Sequence, residues 1–496
     1  MMIPFKSDPS HFRQRQLFPT YLFDLLPKDH PVFVYDEIFQ HLDTSSVEEG
    51  YSFIGQRAYP PKILIAILIY AYSHGVFSSR KIAQKCREDL AFMYIAHMHK
   101  PDFRVLSDFR KRHLDFLHLC FVQSARLAME LGLVRLGHVA LDGSKFKANT
   151  SKHKAASYGY MEQLEEKLGA EVQALLEEAR QCDESEDEEL GEASGYEIPK
   201  ELEDKQKRLK KVQEAKKAIE RRESQENPGK PIDAKKQISF ADKDARLMGK
   251  NGHFDYAYNG QISVDEEHQV IAGQHVSTAC NDAHELGEAL EQIEATMGQL
   301  PEKLSADNGY MSGENLQKLE QAQVDGYVAV GREGKTKSPK WGDKSHFIYD
   351  EENDHFLCPG GHRLACCRVN DDGTKLYQAE AKACEQCEDR SRCCRSKLGA
   401  PRTIKTDRYE PLRRKMADKM SQPHAQKTYG KRKTIVESVF GHMQNLGFRG
   451  FLLRGLQKVK GEFALMCAAH NFSKIVNAIL RGIIGPAKGR VTGLPA

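Results

Sequence analysis

Three carboxylates stand where a charge is expensive unless something balances it. Asp142 follows Val139-Ala140-Leu141 and precedes Gly143; a charged group in the middle of an apolar strand needs a cation or a metal beside it. Asp307 closes Leu304-Ser305-Ala306 and leads into Asn308-Gly309, which puts it at the carboxyl end of a strand, where α/β sheets bind ligands. Glu437 belongs to a helical stretch whose buried stripe is Val436, Val439, Phe440 and Met443. At about 100° from Val436 it flanks that stripe and can reach over a sheet edge. Two strands and a helix can bring such groups to one oxygen-rich site suited to Mg²⁺ or Mn²⁺. Two such ions about 4 Å apart clamp the attacking and leaving oxygens of a phosphodiester during in-line displacement. Each residue alone has a plainer reading: Asp307 as a turn former, Asp142 as an ion-pair partner, Glu437 paired with Lys433 one turn back.

Sulfur forms a second concentration. Seven of the 12 cysteines fall between positions 358 and 394, including Cys384-Glu-Gln-Cys387 and Cys358-Pro-Gly-Gly-His362. In a reducing compartment such clustering points to structural Zn²⁺, which takes four thiolates or three and an imidazole. Cys358, Cys384, Cys387 and Cys393 are the expected ligands, with Cys366 or Cys367 as substitutes. An iron–sulfur cluster and unliganded thiols are the alternatives. Trp341, the one tryptophan, reads as a locally packed or exposed ring rather than a base-stacking one.

The elements that would position these groups show in the periodicity. Pro60-Pro61 starts a helix with Ile63, Ile67, Tyr70 and Ala71 on one face. Segments from Ser79 and from Asp102 carry Lys81, Lys85, Arg104, Arg110, Lys111 and Arg112, as a helix-turn-helix-like DNA reader would. After the strand around Asp142 comes a heptad-like stretch (Leu164, Leu168, Val172, Leu175, Leu176) and a basic arm from Lys205 to Arg222, read as a charged helical hairpin. From about 236 the period becomes strand-like: a hairpin (254–264, 270–276), a helix (282–298), a strand (303–307), a helix (312–323) and a strand (327–330). A helix from Thr428 to about Leu446 and an apolar one from Val459 to Leu480 follow. This order predicts an α/β fold, a mixed sheet with helices on its faces.

Composition narrows the class. The 496 residues hold 40% hydrophobic and 29% charged residues, too apolar for a disordered chain and too charged for a membrane bundle. The longest apolar run, Ile63 to Ala71, is about half the ~20 residues a membrane span needs. No signal peptide is expected. The formal charge of +3 conceals segregation: 17 acidic and 3 basic residues in 155–204, against 5 acidic and 21 basic in 395–496. A basic block of that size attracts phosphate backbones.

The stretches Leu141-Asp-Gly-Ser-Lys-Phe-Lys-Ala-Asn, Tyr258-Asn-Gly-Gln, Ala306-Asp-Asn-Gly-Tyr and Tyr429-Gly-Lys-Arg-Lys-Thr-Ile-Val-Glu-Ser-Val-Phe-Gly resemble those of bacterial insertion-sequence DDE transposases. The resemblance covers about residues 10–480. It implies a ribonuclease-H-like catalytic domain built from 136–150, 236–332 and 421–482, with a helical DNA-binding domain at 57–135. The remainder is an N-terminal arm (1–56), the helical charged insert (151–235), the Cys-rich insert (333–420) and a tail (483–496).

By the same resemblance Asp142, Asp307 and Glu437 are the catalytic, Mg²⁺- or Mn²⁺-holding carboxylates, with two ions. Tyr429 and Arg432 take the place of residues that position DNA phosphates, and Lys431, Lys433, Arg449 and Arg454 would hold the strands beside them. Where the family pattern has a lysine seven residues after the glutamate, Gln444 stands. The implied activity is cleavage at the element's ends and strand transfer into target DNA, without a covalent protein–DNA intermediate. The implied partners are terminal inverted repeats, target DNA and a second subunit, with a cytoplasmic, nucleoid-associated location and no membrane. The other readings are a non-catalytic zinc-stabilised DNA-binding protein, an inactive relic, or a nuclease without a joining step.

Overall fold

The computed structural model describes residues 21–51, 58–151, 155–190, 200–250, 252–331, 342–371, 373–394 and 400–485. Trp341, part of the N-terminal arm and most of the tail lie outside the described residues.

The chain opens with helices α1 (Pro31–Gln40), α2 (Ser45–Glu48), α3 (Pro61–Ser73), α4 (Ser79–Glu88), α5 (Leu90–Ile95), α6 (Phe103–Arg112) and α7 (Leu114–Glu130). Proline at the first turn starts α3, where its missing N–H costs nothing. Asp89 and Asp102 cap α5 and α6 with their carboxylates. Helix α3 is apolar all round, with nearly every residue from Leu64 to Tyr72 buried, as expected of a helix enclosed by others.

A sheet begins at β1 (Val139–Lys147). The charged insert leaves it through β2 (Ala155–Ser157), rises as α8 (Tyr158–Leu190), returns as α9 (Lys200–Glu226) and re-enters through β3 (Gln237–Ser239), which pairs with β2. The expected hairpin is therefore present, around a small core of Met161, Leu168, Val212, Ala215 and Ile219. Leu176 is exposed, so the apolar seam gives out before that point.

The main sheet continues with β4 (Arg246–Lys250), β5 (His253–Asp265), β6 (Ile271–Ser277), β7 (Lys303–Ala306) and β8 (Asp325–Val328), with α10 (Glu285–Met297) and α11 (Gly313–Gln321) between the later strands. Its order is β4-β5-β1-β7-β8, with β6 also on β5. Strands β1, β5 and β6 form an antiparallel meander, and β7 and β8 add in parallel beyond β1.

The cysteine-bearing segment folds as a second sheet. Its strands are β9 (Ile348–Asp350), β10 (His355–Leu357), β11 (Arg363–Val369), β12 (Lys375–Ala379) and β13 (Thr403–Thr406), all antiparallel, with α12 (Ala381–Glu385) and α13 (Arg390–Cys393) beside them. Phe347, Phe356, Leu364 and Tyr377 fill its separate core.

Helices α14 (Glu410–Ser421), α15 (Pro423–Gly430), α16 (Ser438–Asn445) and α17 (Leu456–Leu480) end the described chain. The expected single helix over 428–446 is interrupted: Lys433–Glu437 is a π turn, a feature that recurs at functional sites. Among the described residues α17 is the one helix long and apolar enough to cross a membrane, and it is mostly buried. It packs on α3, α7 and β6, so the N-terminal helices and the main sheet share one hydrophobic core.

Candidate active site

Strand β1 lies between β5 and β7, with Asp142 opposite Ile262 of β5. Its pairing with β7 covers only Val139 and Ala140, so the two strands part just before Asp142 and Asp307. Parallel strands that separate at their carboxyl ends leave a crevice for a ligand. Asp307 also does what its plain reading requires: its Oδ1 accepts the Gly309 N–H at 2.7 Å and caps a short 3₁₀ turn.

The structure brings a carboxylate to this crevice that the sequence reading missed. Asp282 precedes α10, and its Oδ1 accepts from Asn259 Nδ2 at 2.7 Å and from Gln261 Nε2 at 2.6 Å. Asn259 and Gln261 are two apart on β5 and therefore share a face. Both are buried, and buried amides demand partners; that demand was the signal available in Tyr258-Asn-Gly-Gln. The Gln261 carbonyl oxygen in turn accepts from the Tyr310 hydroxyl. The rim is closely packed: a Cβ on Gly143 would press on Gln261 Nε2 and sit 2.8 Å from Asp282 Oδ1, and one on Gly309 would sit 2.9 Å from Asp307 Oδ1 and 3.4 Å from Asp282 Oδ2, so these side chains would have to shift.

Burial pushes the Asp142 carboxyl up to about 6, and the negative charges of Asp307 and Asp282 push the same way. The Arg432 guanidinium, 3.2 Å from Asp142 Oδ2, and the Gly143 N–H pull it down. An acid whose pKa rises on folding binds a proton in the folded chain that the unfolded chain has released. In metal-free buffer this group's contribution to stability therefore falls as pH climbs from about 4 to about 6. Urea midpoints of wild type and Asp142→Asn are expected to converge at the acid end of that window and diverge at the other, the wild type being weaker. Parallel pH profiles would contradict the burial of this charge.

Arg432 is itself buried and lies over the Tyr429 ring, with Cζ 5.7 Å from its centroid. Lys431 reaches Glu266, whose other oxygen meets His138 Nδ1 at 2.7 Å, and Gln269 donates to the Thr434 carbonyl at 3.0 Å. These contacts tie the π turn and the residues before it to the Val139–Asp265 end of the β1–β5 pairing. Glu437 ends that turn and is exposed. Among the described residues no group of three or more His, Cys, Asp or Glu side chains set to hold a metal occurs.

The other expected contacts divide. Arg449 and Arg454 are exposed beside the Lys147 end of β1, Lys433 is exposed in the π turn, and Lys111 is exposed next to Asp108. Arg110 is a correction. It is buried, donating to the Tyr72 hydroxyl at 2.6 Å, the Phe77 carbonyl at 3.1 Å and Ser79 Oγ at 2.8 Å, so it binds the fold together and does not face DNA. The helical period places a basic residue on a helix but not on its outer side when a buried acid, here Glu462, needs a counter-charge.

The cysteines gather without closing into a metal site. Cys358 Sγ accepts the His362 N–H at 3.3 Å and Cys384 Sγ accepts the Arg402 N–H at 3.4 Å. Burial and the neighbouring Cys394 thiol push Cys393 up to about 11. Cys387 lies near Cys358 across Gly360. The proposed substitutes point elsewhere: Cys366 Sγ meets the Arg368 carbonyl and Cys367 Sγ that of Leu376. The expectation of structural zinc finds no support in this arrangement.

Two family models match the chain. One is a transposase DDE domain, over residues 357–476, which includes Arg432 and Glu437 but neither Asp142 nor Asp307. The other is a transposase domain (DUF772), over residues 20–112. No curated protein matches. Among solved structures, a cryo-EM piggyBac transposase synaptic complex with hairpin DNA aligns over 95% of this chain and 80% of its own, at 10% identity and a TM-score of 0.29. A transposase model is matched in the N-terminal helices and another toward the C-terminal end, and the two matches together support an insertion-sequence DDE transposase.

Proposed function

We propose that this transposase cuts DNA at the terminal inverted repeats of its element and joins the freed ends to target DNA, using Mg²⁺ or Mn²⁺ held by Asp142 and Asp307, with Glu437 as the third carboxylate. The observation that carries the reading is the meeting of Asp142 and Asp307, from two neighbouring strands, where those strands part. The donor set is all oxygen, which suits a hard divalent cation. When bound, such an ion activates the attacking oxygen and offsets charge on the phosphodiester.

The remaining chemistry belongs to the protein. Arg432 holds Asp142 in place and keeps positive charge beside the phosphate, and Tyr429 supports its guanidinium from below. Asn259 and Gln261 fix Asp282 at the back of the crevice, where its charge works with Asp142 and Asp307 to attract cations. The order β6-β5-β1-β7-β8 supports a ribonuclease-H-like reading of the sheet. Synapsis of two ends calls for a homodimer, working in the cytoplasm on nucleoid DNA.

The test is an end-labelled duplex copied from the DNA flanking the gene, incubated with the protein in Mg²⁺ or in EDTA. Nicking at the element boundary and joined products are expected in Mg²⁺ alone. Cleavage that is absent in Mg²⁺, or equal in EDTA, would overturn the metal-dependent mechanism.

A further inference from the structure

Three cavities run end to end away from Asp142. The first, about 430 Å³, is lined by Ser144, Lys145, Lys147, Gln444 and Arg449. It shares Lys147 and Arg449 with a second of about 460 Å³ that follows residues 148–151 to Arg454. Arg454 also lines a third, about 700 Å³, whose opposite wall is the helical hairpin, with Tyr160 and Leu164 from α8 and Arg208 and Lys211 from α9. The shared residues make this one continuous track.

Its charge is one-sided. The acid among its described lining residues is Asp255, which faces Lys147 at 3.8 Å. Elsewhere on α9, Lys205, Lys207 and Lys216 pair with Glu171, Glu203 and Glu165. Arg208 and Lys211 face the third cavity and pair with no described acid. Arg454 is aimed by its Nε–H on the Asn149 carbonyl, at 2.8 Å. Tyr160 lies exposed in the same wall, an aromatic face among cations, the combination that takes a nucleotide's base and phosphate together.

We propose that the helical hairpin is a DNA clamp: Arg208 and Lys211, opposite Arg454, hold the phosphates of the strand whose reacting bond lies at Asp142, with Tyr160 against a base. The assignment rests on Asp142 marking the cleavage point. Asp142 and Lys147 are five residues apart, about 16 Å along a strand, or about five phosphates of duplex DNA at 3.4 Å each. The hairpin therefore grips DNA beyond that distance and outside the reacting site.

The test measures equilibrium binding in EDTA, so it does not depend on cleavage. The probes are the duplex copied from the gene's flanks and an unrelated duplex of equal length. R208E/K211E is expected to raise Kd at least about tenfold on both probes and to lower the slope of log K against log salt by about two, one per lost phosphate contact. K217E/R221E makes the same charge change on the far side of α9 and is expected to stay within about twofold of wild type. Tyr160→Ala is expected to weaken binding, with Tyr160→Phe restoring it. Equal Kd values and salt slopes for the two double variants would overturn the clamp. A wild type that binds with the expected slope yet fails to nick in Mg²⁺ would instead overturn the catalytic reading, leaving the clamp standing.

Discussion

Asp142→Asn is expected to lower Mg²⁺-dependent nicking at least about 10³-fold, with duplex binding within about twofold of wild type. The magnitude follows from the several kcal/mol that a metal contributes to a phosphoryl transition state. An amide has nearly the carboxylate's shape and keeps an acceptor for the Gly143 N–H, but it removes the charge that makes the site attractive to a cation. Asp307→Asn is expected to behave alike. Two further variants decide where the third carboxylate is. If Glu437 completes the set on binding DNA, Glu437→Gln falls as far as Asp142→Asn, and Asp282→Asn falls less because its two amide partners persist. If Glu437→Gln nicks at the wild-type rate while Asp282→Asn is dead, Asp282 takes the place assigned to Glu437. Full nicking by Asp142→Asn would remove it from the chemistry altogether.

The second large effect concerns stability. Glu462 of α17 is fully buried; it accepts from the Tyr72 hydroxyl at 3.0 Å and from the N–H groups of Leu452 and Leu453 at 2.9 Å each, beside Arg110. Burial pushes its carboxyl up and Arg110 pulls it back. Glu462→Ala would leave the Arg110 guanidinium enclosed without its counter-charge and two backbone donors without an acceptor. The expected cost is about 3–5 kcal/mol, read as a fall in the urea midpoint at constant slope. Tyr72→Phe, which removes one hydroxyl from the same network, is expected to cost about 1–3 kcal/mol. A Glu462→Ala midpoint no lower than that of Tyr72→Phe would show that the network does not carry the joint between the N-terminal helices and α17. Because those helices share their core with the main sheet, loss of this joint is expected to weaken DNA cleavage as well as the fold.

Much of the architecture follows from local pattern. The alternation over 254–276 became the β5–β6 hairpin, the helical stretch expected over 282–298 became α10, and the charged stretch after β1 became a helical hairpin. Asp142 and Asp307 were legible as well, because a charge inside an apolar strand or at its end is conspicuous in one dimension. Period and punctuation act over a few residues, and these features are set over that range.

Other features depend on neighbours far along the chain. Asp282 looks like a loop residue until Asn259 and Gln261 close on it from another strand. Arg110 looks like a surface cation until Glu462, some 350 residues away, takes it inward. Glu437 flanks a regular helix in the periodicity, but the π turn and its ties to Glu266 and Gln269 set its direction. The cysteine segment folds as a sheet because Phe356, Leu364 and Tyr377 have a core to build there, which cysteine spacing could not reveal. Burial, counter-charge and strand neighbours are properties of the assembled packing, so residues whose environment is built from distant segments take their roles from the fold and not from their flanking sequence.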